Sequence, residues 1–234
     1  MFTQPPVPGL GQFPAVMNSP VLNGINGFEL DGVSADDYSG ISVSAADVNN
    51  DGINDLIIGA FSANVGASAN AGKIYVVFGK ASAWTSPISL GTLDGTNGFE
   101  LNGVSVDDYS GISVSAGDVN NDGINDVIIG APYINSNAGK TYIVFGKGSA
   151  WTSPISLGTL DGTNGVVLDG VSANDYSGWS ISAVGDVNND SINDIIIGAY
   201  GANSNAGKSY IVFGKGSAWT SPISLSTLNG TNGF

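Results

Sequence analysis

The sequence of 234 residues contains no cysteine and no histidine, and its six basic residues are all lysines. Without cysteine the chain can form no disulfide and no thiolate metal site. Without histidine it lacks the usual general base near neutral pH and the usual ligand of transition metals. These two absences exclude a hydrolase built on a Ser/His/Asp or a Cys/His arrangement.

Positive charge and long apolar runs are also scarce. The formal net charge of −14 argues against a nucleic-acid partner. No apolar run reaches the roughly 18 residues of a membrane span, so no membrane insertion is expected. Residues 1–14 have neither a charged n-region nor an apolar h-region, so no signal peptide is expected there. Charged residues make up 11% and hydrophobic residues 42%, which predicts a folded chain rather than a disordered acidic tail.

Internal repetition is abundant. The segment 27–40, GFELDGVSADDYSG, returns as GFELNGVSVDDYSG at 98–111 and as GVVLDGVSANDYSG at 165–178. A fourth copy begins at Gly233, and the spacings between copies are 71, 67 and 68 residues. Each copy is followed by an Asp-rich loop, an apolar run, a Lys-x-Tyr-(Val/Ile)-Val-Phe-Gly-Lys segment and the connector Trp-Thr-Ser-Pro-Ile-Ser-Leu. Such a period predicts a repeat architecture.

Every unit carries signals for four strands and few signals for helices. Period-two alternation, short apolar runs and β-branched or aromatic runs follow one another, and glycine-rich turns separate them. The predicted strands of the three units lie at 41–45, 56–58 and 75–78; at 112–116, 127–129 and 142–145; and at 179–183, 195–197 and 210–213, with a fourth at 28–30 and its copies. The predicted fold class is all-β, with β-propeller blades of four antiparallel strands in three repeats of about 68 residues.

The order of the strands predicts the blade boundaries. Residues 1–26 are an N-terminal Pro/Gly-rich segment and connector, and 27–40 an orphan outer strand with its loop. Blade 1 is 41–111, blade 2 is 112–178, and blade 3 is 179–234 with an incomplete outer strand. Three blades are too few to close a ring, since propellers have about four to eight. The chain is therefore expected to be a fragment of a longer array, or a homodimer that closes a six-bladed ring by exchanging outer strands.

An Asp-rich loop follows the first predicted strand of every unit. Oxygen-bearing side chains occupy positions 1, 3, 5 and 9, and glycine at position 6 of two loops lets the carbonyl of position 7 face inward. Calcium takes about six to eight oxygen ligands in a forgiving geometry, so one Ca²⁺ is predicted in each loop, three per chain. The predicted ligands are Asp47, Asn49, Asp51, Ile53 and Asp55; Asp118, Asn120, Asp122, Ile124 and Asp126; and Asp186, Asn188, Asp190, Ile192 and Asp194.

These loops differ from an EF-hand. Position 12, where an EF-hand has a bidentate glutamate, is Ile58, Ile129 or Ile197. The carboxylate at position 9 is therefore predicted to be the bidentate ligand. Magnesium, which requires a stricter geometry, and softer metals are disfavoured. One alternative is that Asn, Asp and Gly only form turns here, and Ser191 at position 6 of the third loop is expected to weaken that site.

The repeat resembles the FG-GAP repeat of integrin α-subunit propellers and of large bacterial surface proteins. The resemblance covers about 27–234 and rests on Tyr-Ser-Gly before the first strand, the DxNxDGxxD loop and Ile-Ile-Gly-Ala after it. The segment 130–132 reads Gly-Ala-Pro, whereas Ala60-Phe61 and Ala199-Tyr200 depart from it. The resemblance implies a β-propeller with calcium in the loop between the first two strands, in an extracellular protein.

Three other features carry weaker functional signals. Paired acidic or amide residues at 36–37, 107–108 and 174–175 suit acid/base chemistry, but their recurrence in every unit favours turns. Lys73, Lys80 and their copies favour a solvated role over phosphate binding. The connector tryptophans, Trp84, Trp151 and Trp219, are candidates for stacking on sugars, although packing between blades is favoured.

Two functions are expected from these patterns. The first is a structural and adhesive module of a secreted or cell-surface protein in which Ca²⁺ makes each blade rigid. The alternative is a lectin-like propeller that binds carbohydrate. An enzyme is not expected, because the chain has no unique catalytic constellation, and the protein or carbohydrate partner is not defined by the sequence.

Overall fold

The computed structural model describes residues 22–234, so most of the predicted N-terminal segment lies outside the described residues. Short strands dominate this part of the chain. They are β1 (Leu30–Asp31), β2 (Ser42–Ala46), β3 (Asp55–Ala60), β4 (Lys73–Val77), β5 (Ile88–Ser89), β6 (Gly98–Asn102), β7 (Ser113–Gly117), β8 (Asp126–Ala131), β9 (Lys140–Val144), β10 (Ile155–Ser156), β11 (Gly165–Asp169), β12 (Ser177–Gly185), β13 (Asp194–Ala199), β14 (Lys208–Val212) and β15 (Ile223–Ser224).

In the described part of the chain, helical structure is limited to short turns. Two single turns, α1 (Ile134–Asn137) and α2 (Ala202–Asn205), contain left-handed residues, and 3-10 turns occur at Leu90–Thr92, Leu157–Thr159 and Leu225–Thr227. Within residues 22–234 no helix has the length and apolar character needed to cross a membrane.

Each repeat forms an antiparallel meander. β2 pairs with β3, β3 with β4 and β4 with β6, and the second blade repeats this order as β7-β8-β9-β11. The third blade contains β12-β13-β14, and its fourth strand begins at the bridge between Val212 and Gly233. The predicted fold class, an all-β chain with propeller blades of four antiparallel strands, is confirmed.

A fifth, parallel strand joins the outer edge of the first and second blades and is not predicted by the sequence. The connector of the following repeat supplies it: β10 pairs with β6, and β15 with β11. β1 pairs with β5 in the same register, Leu30 beside Ile88, as Leu101 lies beside Ile155. β1 therefore occupies the position of an outer strand whose own blade is not among the described residues.

The apolar core lies between the blades. Successive side chains of a strand point to opposite faces of the sheet. Ile57 contributes to the core between the first two blades, whereas its neighbour Ile58 contributes to the core on the opposite face. In the same way, Ile129 contributes to the core between the first and second blades, and Ile128 to the core between the second and third. The short apolar runs of the sequence are thus strands buried on both faces.

Glycine in the Ile-Ile-Gly-Ala segment permits the close approach of the next blade. A Cβ atom at Gly59 would lie 2.1 Å from the carbonyl oxygen of Gly111, and one at Gly130 would lie 1.9 Å from that of Gly178. Both distances are far shorter than a van der Waals contact, so a side chain at either position would push the blades apart.

The connector tryptophans pack between blades, as the sequence predicts. The ring of Trp84 stacks on Phe28 with the ring centres 4.2 Å apart, and Trp151 stacks on Phe99 at 4.0 Å. Trp151 is buried, and Lys147 Nζ lies 4.7 Å from its ring centre. The rings of Trp151 and Trp219 are therefore buried, whereas that of Trp84 is partly exposed.

Candidate metal centre

The three Asp-rich segments, called here the acidic loops, join the first and second strands of their blades. Residues 47–54 connect β2 to β3, residues 118–125 connect β7 to β8, and residues 186–193 connect β12 to β13. Position 4 of each loop is an asparagine with a φ between 60° and 66°. Asparagine tolerates this left-handed conformation better than most residues, which allows the loop to wind tightly.

In the first acidic loop the side chains at positions 1, 3 and 5 turn back onto the loop's own amides. The amide of Asp51 donates to Asp47 Oδ1 at 3.2 Å and to Asn49 Oδ1 at 3.0 Å. The amide of Gly52 donates to Asp47 Oδ2 at 2.8 Å, and that of Ile53 to Asp51 Oδ1 at 2.9 Å. Because two side-chain oxygens share one amide, positions 1 and 3 lie on the same side of the loop.

The other two loops repeat this arrangement. The position 5 amide again donates to the side-chain oxygens of positions 1 and 3. In the second loop Asp122 donates to Asp118 at 3.2 Å and to Asn120 at 2.9 Å, and in the third Asp190 donates to Asp186 and to Asn188, both at 3.0 Å.

The aspartate at position 9 anchors the loop to its own blade. Asp55 is fully buried, and its two oxygens accept from the amides of Val48 at 2.9 Å and Gly79 at 2.8 Å. The same pair of bonds is formed by Asp126 with Val119 and Gly146, and by Asp194 with Val187 and Gly214. Each carboxylate oxygen has a second lone pair, so this anchor leaves acceptor capacity for a cation.

Burial and nearby negative charge both oppose ionisation of Asp55 and Asp126, the position 9 residues of the first two loops. Burial raises the pKa of Asp55 to about 6, although the amides of Gly79 and Val48 act in the opposite direction, and the charges of Asp51 and Asp47 raise it further. Burial likewise raises the pKa of Asp126 to about 7. A cation beside these carboxylates would favour their charged form.

The third loop contains the strained residue that its sequence predicts. Ser191 at position 6 has a φ of 71°, close to the 84° of Gly52 and the 87° of Gly123. A Cβ atom at either glycine would meet nothing within 4 Å. The cost of serine is therefore conformational, about 1–2 kcal/mol for a left-handed residue with a side chain.

The donors suit a hard divalent cation, although the side chains are not gathered around one point. Among residues 22–234 no group of three or more acidic, histidine or cysteine side chains lies close enough to hold a metal ion. Positions 1, 3 and 5 point instead to loop amides. All donors in the loops are oxygens from carboxylates, amides and carbonyls, the set that calcium prefers. The carbonyls of Ile53, Ile124 and Ile192 remain predicted ligands.

Each of the first two loops is covered by the following blade. The amide of Lys147 donates to the carbonyl of Val48 at 3.1 Å, and Asn125 donates to the carbonyl of Asp47 through its amide and its Nδ2, both at 3.2 Å. At the second junction Lys215 donates to Val119 at 3.0 Å. The covering residues were not predicted, because nothing local in the sequence indicates which blade contacts a loop.

The acidic pairs of the repeat form turns, as their recurrence predicts. Asp36 and Asp107 have φ values of 65° and 61°. The side chains of Asp37 and Asp108 accept from the amides three residues before them, at 3.2 and 2.6 Å. The side chain of Asp175 repeats this contact at 3.1 Å. This arrangement is structural and provides no pair of carboxylates poised across a substrate.

The lysines form specific contacts rather than a purely solvated edge. Lys73 pairs with Glu100 at 2.9 Å, and Lys140 pairs with Asp169 at 2.8 Å. Lys80 and its copies lie over the connector tryptophans at 4.7 to 4.9 Å. These contacts link the third strand to the outer strand and to the connector.

An aromatic row that the sequence analysis missed runs across all three blades. Neighbouring ring centres are 5.0 to 6.1 Å apart. Its members lie in the Tyr-Ser-Gly segments or come directly after a Tyr-Ser-Gly, Gly-Ala or Gly-Ala-Pro segment: Tyr38, Phe61, Tyr109, Tyr133, Tyr176, Trp179 and Tyr200. The aromatic residue after every Gly-Ala or Gly-Ala-Pro was the available signal.

The described residues thus form an array of propeller blades, each of which carries one acidic hairpin loop. The FG-GAP repeat family matches residues 39–77, 110–144 and 177–212, and the chain is thus an FG-GAP repeat protein, as the resemblance indicated.

Integrin α-subunits are among the similar proteins. The chain is 30% identical to integrin alpha-6 of Gallus gallus over 164 residues and 32% identical to integrin alpha-2 of Bos taurus over 165 residues. These matches cover 68% and 70% of the chain and 13% of each relative. A match to the phosphatidylinositol-glycan-specific phospholipase D of Bos taurus is 29% identical over 188 residues, 78% of the chain and 21% of the relative. The chain therefore corresponds to a small part of each relative.

Proposed function

We propose that this chain is a calcium-binding structural and adhesive module of a secreted or cell-surface protein, and that it is not itself an enzyme. The observation that carries the proposal is the threefold recurrence of one oxygen donor set on a hairpin anchored at position 9. The proposed ligands are the side chains at positions 1, 3, 5 and 9 and the carbonyl at position 7 of each acidic loop.

The electrostatics of the loop support this role. Two carboxylates about 4 Å apart repel by roughly 4 kcal/mol at an effective dielectric of 20. Each acidic loop contains three aspartates within nine residues, and in the first loop Asp47 and Asp51 act together on Asp55. A divalent cation removes this repulsion and holds the hairpin in one conformation. Because the next blade covers the first and second loops, a rigid loop also supports the junction between blades.

An extracellular setting supplies enough calcium for such a site. Extracellular modules bind calcium with affinities of roughly 0.1–1 mM. At a calcium concentration ten times the dissociation constant, each site adds about 1.4 kcal/mol to the free energy of unfolding. The integrin relatives are consistent with an adhesive role, which stays a proposal because the chain spans only a small part of them.

The test is calorimetric titration of the chelator-treated chain with CaCl₂. We expect three calcium ions per chain, and the variants Asp47→Asn and Asp118→Asn should each remove one ion from the stoichiometry. Asparagine keeps the shape of the side chain and its acceptor oxygen, so the loss reports the missing charge.

The matched control is Asp94→Asn, in an exposed turn outside the loops. Asp94 Oδ1 accepts from the Thr96 amide at 2.9 Å, and Asn229 makes the equivalent contact with Thr231 at 3.0 Å in the third repeat. This variant should keep all three ions. A chelator-treated chain that takes up no calcium at millimolar concentration would refute the proposed function.

A second candidate function, carbohydrate binding, is favoured by one observation. The aromatic row exposes Tyr38, Trp179 and Tyr200, whereas Trp151 and Trp219 are buried. Exposed aromatic faces are suited to stacking on apolar sugar faces. A glycan array that compares the unmodified chain with Tyr200→Ala separates the two functions. Sugar binding that this variant abolishes supports carbohydrate binding. Absence of binding to any glycan refutes the carbohydrate-binding function.

A further inference from the structure

A cavity at the junction between the first two blades lies apart from the acidic loops. It has a volume of about 320 Å³ and is bounded by the segment after β6, by β9 and β11, and by the connector of the third repeat. Lys140 at its edge pairs with Ala131, the last residue of β8, whereas the acidic loop leads into Asp126, the first residue of that strand. The cavity is therefore at the opposite end of the blade from the acidic loop.

Buried polar side chains converge on this cavity. Asp108 is 5% exposed and Tyr142 is 4% exposed, and both line it together with Lys140. The Asp108 carboxylate accepts from the Ser105 amide at 2.6 Å and has further lone pairs available. The Tyr142 hydroxyl makes no hydrogen bond to any of residues 22–234. The cavity thus offers a ligand one buried acceptor and one buried donor.

The charges around the cavity favour a neutral ligand. Burial raises the pKa of Tyr142, and the charges of Asp108 and Asp169 raise it further, so both carboxylates lie near its hydroxyl. Lys140 Nζ is already paired with Asp169 Oδ1 at 2.8 Å. Two carboxylates therefore share one ammonium group, and an anionic ligand would add a third negative charge to them. A neutral hydroxyl group can instead donate to Asp108 and accept from Tyr142.

The rest of the wall is largely apolar. Its apolar side chains are Val104, Ile134, Leu157, Leu160, Val167 and Pro222. Such a wall does not suit a metal ion, which needs several oxygen ligands. An apolar lining with a few convergent polar groups, and a volume at the lower end of the range of about 300–1,000 Å³, is typical of a small-molecule site. The ligand must therefore carry hydroxyl groups on one side and C–H groups on the other.

Comparison with the first blade shows why the space beside Tyr142 is open. Tyr142 faces Val167 across β9 and β11, whereas its counterpart Tyr75 faces Glu100 across β4 and β6. The Tyr75 hydroxyl is buried and has no partner. The shorter side chain of Val167 leaves room that the glutamate of the first blade occupies.

The acidic partner of the strand lysine has moved accordingly. In the first blade Lys73 pairs with Glu100 at 2.9 Å, and the residue beside Lys73 on the outer strand is Asn102. In the second blade the residue beside Lys140 is Asp169, and this residue carries the ion pair. Both blades thus keep one lysine–acid pair, but only the second blade keeps it away from the tyrosine.

We propose that this cavity binds one neutral sugar residue of a glycan. Its hydroxyl groups donate to Asp108 and accept from Tyr142, and its apolar face packs against Leu157 and Val167. No member of the aromatic row lines the cavity, so this is a separate site. The proposal does not depend on calcium binding, and a failed titration with CaCl₂ would leave it standing.

The first test is saturation-transfer NMR of the full chain in excess chelator, with neutral methyl glycosides of glucose, galactose, mannose and N-acetylglucosamine as probes. We expect transfer to at least one of them, and a titration should give one site per chain. Transfer to none of the four overturns the proposal. Tighter binding of methyl glucuronide than of the neutral glucoside overturns the choice of a neutral ligand.

The first blade supplies a variant that closes the cavity. The double change Val167→Glu with Asp169→Asn copies the pair Glu100 and Asn102, around which the first blade folds, and circular dichroism verifies the fold. The affinity for the bound glycoside should fall by at least about tenfold. Unchanged affinity overturns the proposed site. The variant Tyr200→Ala should bind normally, and loss of binding in it would place the sugar at the aromatic row instead.

A matched pair of variants tests the hydroxyl contact. Tyr142→Phe removes a hydroxyl that no described protein group uses, so it should leave the thermal unfolding temperature unchanged and weaken glycoside binding by about tenfold. Tyr75→Phe, the same change in the first blade, should bind like the unmodified chain. Equal affinities of Tyr142→Phe and the unmodified chain would overturn the assignment of this hydroxyl to the ligand.

Discussion

The first two acidic loops and the third have almost the same sequence but different surroundings. All three keep the anchor at position 9 and the shared amide at position 5. The first two are covered by the next blade, and position 2 is fully buried in both. In the third loop position 2 is half exposed, and serine replaces the glycine at position 6. The comparison separates the properties that depend on a loop's own residues from those that depend on contact with the next blade.

The largest expected loss of stability follows removal of the carboxylate at position 9. This loss should not depend on whether the next blade covers the loop. Asp126→Ala leaves the buried amides of Val119 and Gly146 without an acceptor, and Asp194→Ala does the same in the third loop. Each change should lower the free energy of unfolding by about 3 kcal/mol. Urea unfolding in excess chelator measures this, with Asp94→Asn as the unaffected control. A much smaller loss for Asp194→Ala would show that the anchor too depends on the neighbouring blade.

The next largest loss of stability depends directly on whether the following blade covers the loop. Val119→Ala removes a fully buried side chain between blades and should cost about 2 kcal/mol. Val187→Ala, the same change in the uncovered loop, should cost under about 0.5 kcal/mol. The measurement is urea unfolding at a concentration where the chain is monomeric. Equal losses would mean that the third loop is covered in solution.

A reciprocal exchange at position 6 should shift stability in opposite directions. Ser191→Gly relieves a left-handed residue and should stabilise the chain by about 1 kcal/mol, and Gly123→Ser should destabilise it by a similar amount. Thermal unfolding of both variants without calcium tests this. A loss of stability in Ser191→Gly would show that the serine hydroxyl contributes a favourable contact.

The smallest effect tests the covering hydrogen bond. Asn125 Nδ2 donates to the carbonyl of Asp47, whereas its counterpart Asn54 has no preceding loop to cover within residues 22–234. Asn125→Ala should cost about 0.5–1 kcal/mol and Asn54→Ala close to zero. Urea unfolding resolves this difference. A similar cost at both positions would assign the effect to the local turn instead.

Much of the blade could be predicted because its signals are local. The alternation at 41–45, the apolar run at 56–58 and the aromatic strand at 75–78 correspond to β2, β3 and β4 within one or two residues. The strain at Ser191 was also predictable, since position 6 of the other loops is glycine. The parallel pairing of β10 with β6 was not predictable, because a two-residue strand leaves no periodic pattern. Its partner is also distant, in the preceding repeat: Ile155 and Leu101 are 54 residues apart. The hydrogen bonds from Asn125 and Lys147 to the first loop were also not predictable, because their partners are distant along the chain.

The sequence by itself determined the repeat, its four strands and the donor chemistry of every acidic loop, since these depend on residue type and spacing along one continuous segment. Only the tertiary structure decided that the core lies between blades, that position 9 is an internal anchor and that, within residues 22–234, no blade covers the third loop. Those properties depend on which distant segment meets each face, and near-identical repeats of one sequence acquire different environments according to whether a neighbour is present.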